Sequence, residues 1–270
     1  MSHDLLDVRP MTKRIGAEIF GVDLTQPLGN QAFSEIHSAL MTHQVVFFRD
    51  QKLDHEAHKA FGRAFGKLHI HSGVKGLDNH PEVVAIHADG NSKFVAGEKW
   101  HSDLSCDPEP PMGSILYMHT LPDHGGDTLF ASMYAAYDAL SPAMKAFLEP
   151  LTAVHDGNHV YKALFPDSTK TYPCNSHPVV RTHPVTGRKL LFVNSSYTTR
   201  INELSKEESD AVLGLLFDHV QNPNFQVRFR WQQDSVAFWD NRCTQHFAVW
   251  DYFPDVRSGY RVTVAGDKPY

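Results

Sequence analysis

The strongest constraint on the fold of this chain is a series of short segments rich in β-branched and aromatic residues. The clearest is 225–231, where apolar and polar residues alternate strictly, as they do in a strand with one buried face. A continuous apolar run at 44–49 predicts a buried strand. Further strands are predicted at 82–87, 114–119, 128–132, 189–193 and 235–239. So many short strands must pair into sheets, which favours a two-sheet jelly roll.

Helical patterns interrupt these strands and predict a few peripheral helices. Residues 30–43 repeat apolar side chains at helical spacing, and Asp54 is positioned to cap a second helix. Ser205 and Glu208 form a capping box, and Ser141 followed by a proline predicts one more helix start. The apolar face of the helix after Ser205 is expected to carry Val212, Leu215, Leu216 and Val220. The expected fold is therefore mainly β with peripheral helices.

Length and composition exclude several classes of protein. The 270 residues contain no repeat, low-complexity tract or linker, so we expect one domain over residues 1–270. No apolar run approaches the ~20 residues of a membrane span, and the first residues lack the apolar core of a secretory signal. Scattered cysteines suit a reducing cytoplasm, and a net charge of −6 gives no basic surplus. The sequence therefore predicts a cytoplasmic protein that binds neither nucleic acid nor membranes.

Several common catalytic motifs are missing from the sequence. It has no glycine-rich phosphate loop and no GxSxG nucleophile elbow. The segment 55–58 (HEAH) is one residue short of the HExxH zinc motif and is typical of a solvated helix face. Eighteen histidines nevertheless make metal ligation the first chemistry to consider.

Two copies of a His-x-Asp pattern are candidate metal ligands, one at His87 and Asp89 and one at His101 and Asp103. Residues i and i+2 of a strand point to the same side, so an imidazole and a carboxylate at this spacing can bind one metal ion. A distant histidine would complete the two-histidine, one-carboxylate triad of non-haem Fe(II) oxygenases. His246, which follows a strongly apolar strand, is a candidate. Spacing favours the second copy only weakly and leaves both open.

Two arginines follow this histidine. In extended chain Arg257 and Arg261 share one face, while Tyr260, Val262 and Val264 occupy the other. Each arginine alone would fit a surface charge or a salt bridge. Two on one face, close to a candidate metal ligand, could instead bind two carboxylate-like groups by bidentate contact.

Together with other motifs along the chain, these candidate ligands and arginines make the sequence resemble the taurine dioxygenase family of Fe(II)- and 2-oxoglutarate-dependent dioxygenases. This family also includes phenoxyalkanoate dioxygenases and alkylsulfatases. The resemblance covers nearly the whole chain. It is carried by motifs in the order 21–25 (GVDLT), 43–51 (HQVVFFRDQ), 65–71 (FGKLHIH), 100–103 (WHSD), 125–129 (GGDTL), 183–187 (HPVTG), 239–246 (WDNRCTQH) and 266–269 (GDKP). Several blocks in one order are far more specific than any single motif.

The resemblance implies a double-stranded β-helix, that is, a cupin-like jelly roll. It also distinguishes the two His-x-Asp copies. The ligand motif of the family matches His101 and Asp103, with His246 as the third metal ligand, so His87 and Asp89 become structural residues. The implied cofactors are Fe(II), 2-oxoglutarate as co-substrate, and O₂.

The resemblance also assigns the binding residues. It implies that Arg257 pairs with the distal carboxylate of 2-oxoglutarate, assisted by the hydroxyl of Thr128. Arg261 and His71 match positions that bind the anionic group of the substrate. The implied reaction hydroxylates a C–H next to an anionic or leaving group of a small organic acid, giving succinate and CO₂. A homo-oligomer, dimer or tetramer, is expected.

The identity of the substrate stays open. Where taurine enzymes carry polar residues before the Trp-His pair, this chain has Ala96 and Gly97, and the segment 158–176, where a lid is expected, is shorter. A larger or less polar tail than that of taurine fits these departures. An alkylsulfonate, an alkyl sulfate ester or an aryloxyalkanoate would satisfy the same site. One rival class is a non-oxygenase cupin-type metalloenzyme, which would not need Arg257. The other is a non-catalytic binding module, which would not need the full set of His101, Asp103, His246, Arg257 and Thr128.

Overall fold

The computed structural model describes residues 5–270, so residues 1–4 of the expected domain lie outside the described residues. Its strands are β1 Asp7–Pro10, β2 Ala17–Phe20, β3 Val45–Phe48, β4 Val84–Ala88, β5 Gly113–Thr120, β6 Thr128–Ser132, β7 Thr152–Asp156, β8 Cys174–Pro178, β9 Val180–Thr182, β10 Lys189–Leu191, β11 Thr198–Ile201, β12 Gln226–Phe229, β13 Ser235–Asp240, β14 Thr244–Ala248 and β15 Arg257–Val264. Its helices are α1 Asn30–His43, α2 His55–Phe65, α3 Met133–Asp138, α4 Pro142–Leu148, α5 Gly157–Leu164 and α6 Lys206–Val220. The expectation of a mainly β fold with peripheral helices is confirmed.

A sheet of seven strands, here called the large sheet, has the order β1-β2-β3-β13-β5-β15-β4. Strands β2 and β3 run parallel, and the other neighbours are antiparallel. Strand β13 pairs on one side with β3 and on the other with β5, so that Val236 lies between Phe48 and Tyr117. The centre of the sheet thus joins segments that are far apart in the sequence.

Both faces of the large sheet are covered. On one face Val46 packs with Ile36 of α1 and Phe61 of α2. The other face packs on a small sheet of order β12-β6-β14, where Phe47 stacks on Phe229 with ring centroids 3.9 Å apart. This double burial explains why β3 is apolar at every position, whereas β12 at the edge of the small sheet alternates as predicted.

Two further sheets, β11-β7-β8 and β10-β9, pack with α3 and α6 around another core. The capping box predicted for α6 is present, with Ser205 and Glu208 satisfying each other's backbone N–H groups. The prediction that Leu215 faces the core is wrong, because its side chain is 51% exposed. The predicted Leu216 and Val220 are buried, and Ser209 and Leu213 complete the buried stripe, where the Ser209 hydroxyl accepts a hydrogen bond from the backbone of β11. None of the helices in the described part of the chain is long and apolar enough to cross a membrane.

Candidate active site

A cavity of about 410 Å³ opens between the large sheet and the small sheet. Strands β4, β5, β13 and β15 supply one wall, β6 and β14 the opposite wall, and α5 lies across the cavity where a lid was expected. The cavity brings together all of the predicted site residues, which are His71, His101, Asp103, Thr128, His246, Arg257 and Arg261. The other His-x-Asp copy is not among its lining residues. His87 is half exposed, and Asp89 accepts hydrogen bonds from its own turn, as expected for structural residues.

The two histidines meet through their backbones. His101 and His246 exchange N–H···O bonds of 3.1 and 2.8 Å in an isolated bridge, which sets their rings 4.0 Å apart between centroids. Asp103 lies in the turn after this bridge, with Oδ1 3.7 Å from His101 Nε2. The ligand atoms of all three buried side chains lie within 4.8 Å of one another, close enough to hold one ion. His101 Nδ1 donates to the carbonyl of Lys99 at 2.8 Å, which leaves Nε2 unprotonated and able to bind a metal.

The carboxylate of Asp103 is held in its ionised form. Burial would raise its pKa, but the charge of Arg261, followed by the electrostatic effect of the neighbouring His246, outweighs burial and holds the pKa well below the ordinary value. Arg261 Nη1 lies 2.7 Å from Oδ1, and the Ser114 hydroxyl donates to Oδ2 at 2.7 Å. A metal ligand must be deprotonated, so this electrostatic setting suits metal binding.

Arg257 is a buried cation with unused hydrogen-bonding capacity. Its side chain is 4% exposed, and burial lowers its pKa. Nε donates to the carbonyl of Gly126 at 3.0 Å, while Nη2 has no hydrogen-bond partner among residues 5–270. The hydroxyl of Thr128 accepts a bond of 2.9 Å from Trp231 Nε1, so its own hydrogen can be donated into the cavity. A buried guanidinium with a spare N–H, together with a hydroxyl donor, fits a carboxylate.

His71 and Arg261 form a second group of donors. The backbone N–H groups of Gly73 and Val74 donate to His71 Nδ1 at 2.9 and 3.0 Å, so the neutral ring carries its proton on Nε2. Burial, followed by the charge of Arg261, lowers the pKa of His71 to about 3. Within the described residues Arg261 Nε is buried without a partner. A neutral N–H donor and a cationic donor thus line the same cavity and can share one anion.

The outer part of the cavity is mainly apolar. Its apolar lining residues are Val74, Ile86, Phe94, Val160 and Leu164, and the polar residues Glu98, Lys99 and His159 line the cavity as well. Both small residues noted in the sequence, Ala96 and Gly97, line the cavity as well. Gly97 has φ +90°, which favours glycine, and a Cβ atom there would lie 3.0 Å from His101 Cε1, so a larger residue would press on the His101 ring.

His183, Asp240 and Cys243 form another cluster with ligand-type atoms within 4.8 Å. It is already satisfied by hydrogen bonds. His183 Nε2 lies 3.0 Å from Asp240 Oδ2, and Nδ1 accepts bonds from the backbone of the following turn. Arg242 donates to both oxygens of Asp240. Because the histidine and the carboxylate are fully engaged, the cluster ties two loops together rather than offering a metal site.

Some site residues were not predicted from the sequence. Ser114 and Asn241 bond to Asp103, Trp231 bonds to Thr128, and Tyr161 packs beside His71 with ring centroids 6.0 Å apart. Asn241 lies within the family motif at 239–246, and that motif was the sequence signal that could have identified it as a site residue. The other residues reach the site through pairings that the local sequence does not encode.

This fold, with two histidines and a carboxylate beside a buried arginine, defines the class of 2-oxoglutarate-dependent dioxygenases, and comparisons with known proteins show that the chain is one. The chain belongs to the family described as taurine catabolism dioxygenase TauD, TfdA family, whose model matches residues 7–263.

Individual relatives agree. The α-ketoglutarate-dependent sulfate ester dioxygenase of Pseudomonas putida is 36% identical, covering 98% of this chain and 91% of that protein. The α-ketoglutarate-dependent sulfonate dioxygenase of Saccharomyces cerevisiae is 32% identical, covering 98% of this chain and 68% of that protein. The crystal structure of a taurine dioxygenase from Burkholderia xenovorans superposes with a TM-score of 0.87 at 40% identity, covering 98% of this chain and 91% of that one. The predicted jelly roll and family resemblance are confirmed.

Proposed function

We propose that this protein is an Fe(II)- and 2-oxoglutarate-dependent dioxygenase that hydroxylates a C–H next to an anionic or leaving group of a small organic acid. One oxygen atom of O₂ enters the substrate and the other enters succinate, while 2-oxoglutarate loses CO₂. The observation that carries the proposal is the buried, incompletely paired guanidinium of Arg257 in the same cavity as His101, Asp103 and His246. A metalloenzyme that did not use 2-oxoglutarate would have no use for this costly buried charge.

His101, Asp103 and His246 are proposed as the metal ligands. Two imidazoles and one carboxylate make a mixed nitrogen and oxygen site that leaves coordination positions free, which suits Fe(II) better than the oxygen-rich sites of Mg²⁺ or Ca²⁺. When bound, the iron supplies the O₂ chemistry. The protein holds the ligands through the backbone bridge between the two histidines and keeps Asp103 ionised.

Arg257 and Thr128 are proposed to bind the distal carboxylate of 2-oxoglutarate. The free Nη2 of Arg257 and the hydroxyl hydrogen of Thr128 can donate to that carboxylate, and Trp231 and Gly126 hold the two donors in place. Burial excludes water, so each charge-assisted bond is stronger than at the surface.

Arg261 and His71 are proposed to bind the anion of the primary substrate. Their donors suit a sulfonate, sulfate or carboxylate, and the mainly apolar lining of the cavity favours a substrate with a hydrocarbon tail over taurine. Hydroxylation of the carbon that bears a sulfonate or sulfate would release that group as its anion and leave a carbonyl compound. Similarity to a sulfate ester dioxygenase and a sulfonate dioxygenase supports these two classes, and an aryloxyalkanoate is the third candidate.

At the level of the whole molecule, we propose a single domain over residues 1–270 that assembles as a homo-oligomer, dimer or tetramer, in the cytoplasm. Cores shared between successive segments support one domain. Free cysteines at positions 106, 174 and 243 fit a reducing compartment. The family resemblance supports the oligomer.

The decisive experiment incubates the Fe(II)-loaded protein with 2-oxoglutarate, O₂ and a panel of alkylsulfonates, alkyl sulfates, aryloxyalkanoates and taurine. We expect succinate to form in step with one hydroxylation product, with alkyl substrates preferred over taurine. Absence of CO₂ release from labelled 2-oxoglutarate with every panel member, together with turnover of a substrate without it, would establish the non-oxygenase alternative instead.

A further inference from the structure

We propose that Ser114 and Asn241 are positioning residues that determine which oxygen of Asp103 faces the metal. The inference depends on the proposed metal site and concerns residues that do not touch the metal. Ser114, Asn241 and Asp103 form a closed set of hydrogen bonds, here called the Asp103 ring. All three are buried, with exposures of 0, 2 and 4%, so water does not compete for these bonds.

The bond lengths in the Asp103 ring lie between 2.7 and 3.2 Å, within the ordinary range of hydrogen bonds. The backbone N–H of Asp103 donates to Asn241 Oδ1 at 3.2 Å. Asn241 Nδ2 donates to Ser114 Oγ at 2.9 Å, and Ser114 Oγ donates to Asp103 Oδ2 at 2.7 Å. Trp239 Nε1 adds a further bond of 2.9 Å to Asn241 Oδ1. The side-chain amide of Asn241 thus holds the main chain of Asp103 directly and its carboxylate through Ser114.

The chemistry of the donors fixes the direction of every proton. Asn241 Oδ1 faces two groups that can only donate, the amide of Asp103 and the indole of Trp239, so the side-chain amide cannot be flipped. Its NH₂ group must therefore point at Ser114. A hydroxyl that accepts this bond has one hydrogen left, and that hydrogen goes to Asp103 Oδ2.

The consequence is a carboxylate with two different oxygens. Oδ2 accepts the bond from Ser114, whereas Oδ1 accepts a bond of 2.7 Å from Arg261 Nη1 and lies 3.7 Å from His101 Nε2, facing the other candidate ligands. A carboxylate oxygen can accept more than one bond, so Oδ1 keeps a free position beside Arg261, and we expect a metal ion to bind this oxygen. The supporting residues sit in the rigid centre of the large sheet, because Ser114 pairs with Trp239 in the register of β5 and β13 and Asn241 directly follows β13.

The test measures metal binding rather than turnover. Mn(II) is titrated into the metal-free protein and followed by electron paramagnetic resonance, and the visible spectrum of the Co(II) form reports coordination geometry. We expect Ser114→Ala to weaken Mn(II) binding by ~10- to 100-fold, the range typical for loss of an outer-shell partner, and to change the Co(II) spectrum. Ser114→Cys keeps the size and a weak donor and should fall between wild type and Ser114→Ala.

A matched control is available in Ser209→Ala. Ser209 is similarly buried, and its hydroxyl accepts a hydrogen bond from the backbone N–H of Ile201, but it lies on α6 away from the cavity. This variant should lose stability without a change in Mn(II) affinity or Co(II) spectrum. If Ser114→Ala does not fold, the Co(II) spectrum of Ser114→Cys tests the positioning role instead. We expect this spectrum to differ from that of wild type, and an identical spectrum would overturn the inference.

The results also separate this inference from the proposed function. Wild-type Mn(II) affinity in Ser114→Ala, with loss of binding in Asp103→Ala, would refute the positioning role and leave the metal site intact. Retention of full Mn(II) affinity by Asp103→Ala would refute the metal site itself.

Discussion

Replacement of Arg257 by methionine tests the proposed 2-oxoglutarate site most directly. Methionine has similar length and no charge, so it removes the guanidinium while filling most of its volume. The arginine is 4% exposed and keeps an unpaired Nη2, so its charge is compensated only when an anion binds. The variant should therefore bind 2-oxoglutarate much more weakly and yet fold normally.

The expected magnitude follows from this burial. Truncating one partner of a buried, hydrogen-bonded charge pair costs about 2–5 kcal/mol, which corresponds to a ~30- to 5,000-fold increase in Kd. The free protein should not lose stability to the same extent, because removal of an uncompensated buried charge also removes its desolvation cost. The melting temperature of the variant without 2-oxoglutarate should accordingly be equal to or above that of wild type.

The assay is calorimetric titration of 2-oxoglutarate into the Mn(II)-loaded protein without primary substrate. Arg228→Met is the matched control, because Arg228 is about half exposed, pairs with Asp127 and does not line the cavity. Arg261→Met should weaken binding of the primary substrate more than binding of 2-oxoglutarate. An unchanged Kd for 2-oxoglutarate in Arg257→Met, or an equal loss in Arg261→Met, would refute the assignment of the two arginines.

Three further predictions concern the candidate metal ligands, the loop that contains Gly73 and the pH dependence of stability. Asp103→Ala should abolish metal-dependent succinate formation, and full activity in an anaerobically purified, iron-reconstituted sample would contradict the ligand assignment. Gly73→Ala should raise KM for the primary substrate without changing the Kd of 2-oxoglutarate. The reason is that a Cβ at Gly73 would collide with the ring of Tyr161 and displace the loop that donates to His71. Steady-state kinetics measures the KM, and calorimetric titration measures the Kd. Burial lowers the pKa of His58 in the folded protein to about 4. As the pH falls, His58 therefore takes up its proton in the unfolded chain before it does so in the folded protein. Its titration leaves the free energy of unfolding unchanged above about pH 6.5 and lowers it as the pH falls towards 4. Between pH 7 and pH 4, the free energy of unfolding measured in urea should fall by about 3 kcal/mol less in His58→Gln than in wild type. An equal fall in the two proteins would show that His58 does not titrate in this way.

Local patterns predicted many elements because they report burial and backbone preference directly. The helix at 30–43, the capping box at Ser205 and the alternation at 225–231 all depend on neighbouring residues, and each is found as predicted. Strands β7, β8 and β11 were not predicted. Their short sequences lack a clear alternation of apolar and polar residues, so the local pattern gave no strand signal.

The candidate site shows the same division. Spacing alone could not distinguish His87–Asp89 from His101–Asp103, and the family resemblance favoured the second pair. In the folded chain His101 forms a bridge with His246, whereas His87 lies half exposed on β4. The two copies have the same local His-x-Asp pattern, so the physical difference between a candidate ligand and a surface residue comes from the strand pairing around them.

The sequence by itself determined the kinds of groups available: imidazoles, one carboxylate, two arginines on one strand face, and apolar strands able to bury them. Tertiary structure decided which of these groups converge and in what state. It left Arg257 buried with a free N–H, fixed the proton of His71 on Nε2 and directed the Ser114 hydroxyl to one oxygen of Asp103. The physical reason is that local patterns encode burial and backbone angles, whereas hydrogen-bond direction and charge compensation depend on atoms brought together by the packing of whole sheets.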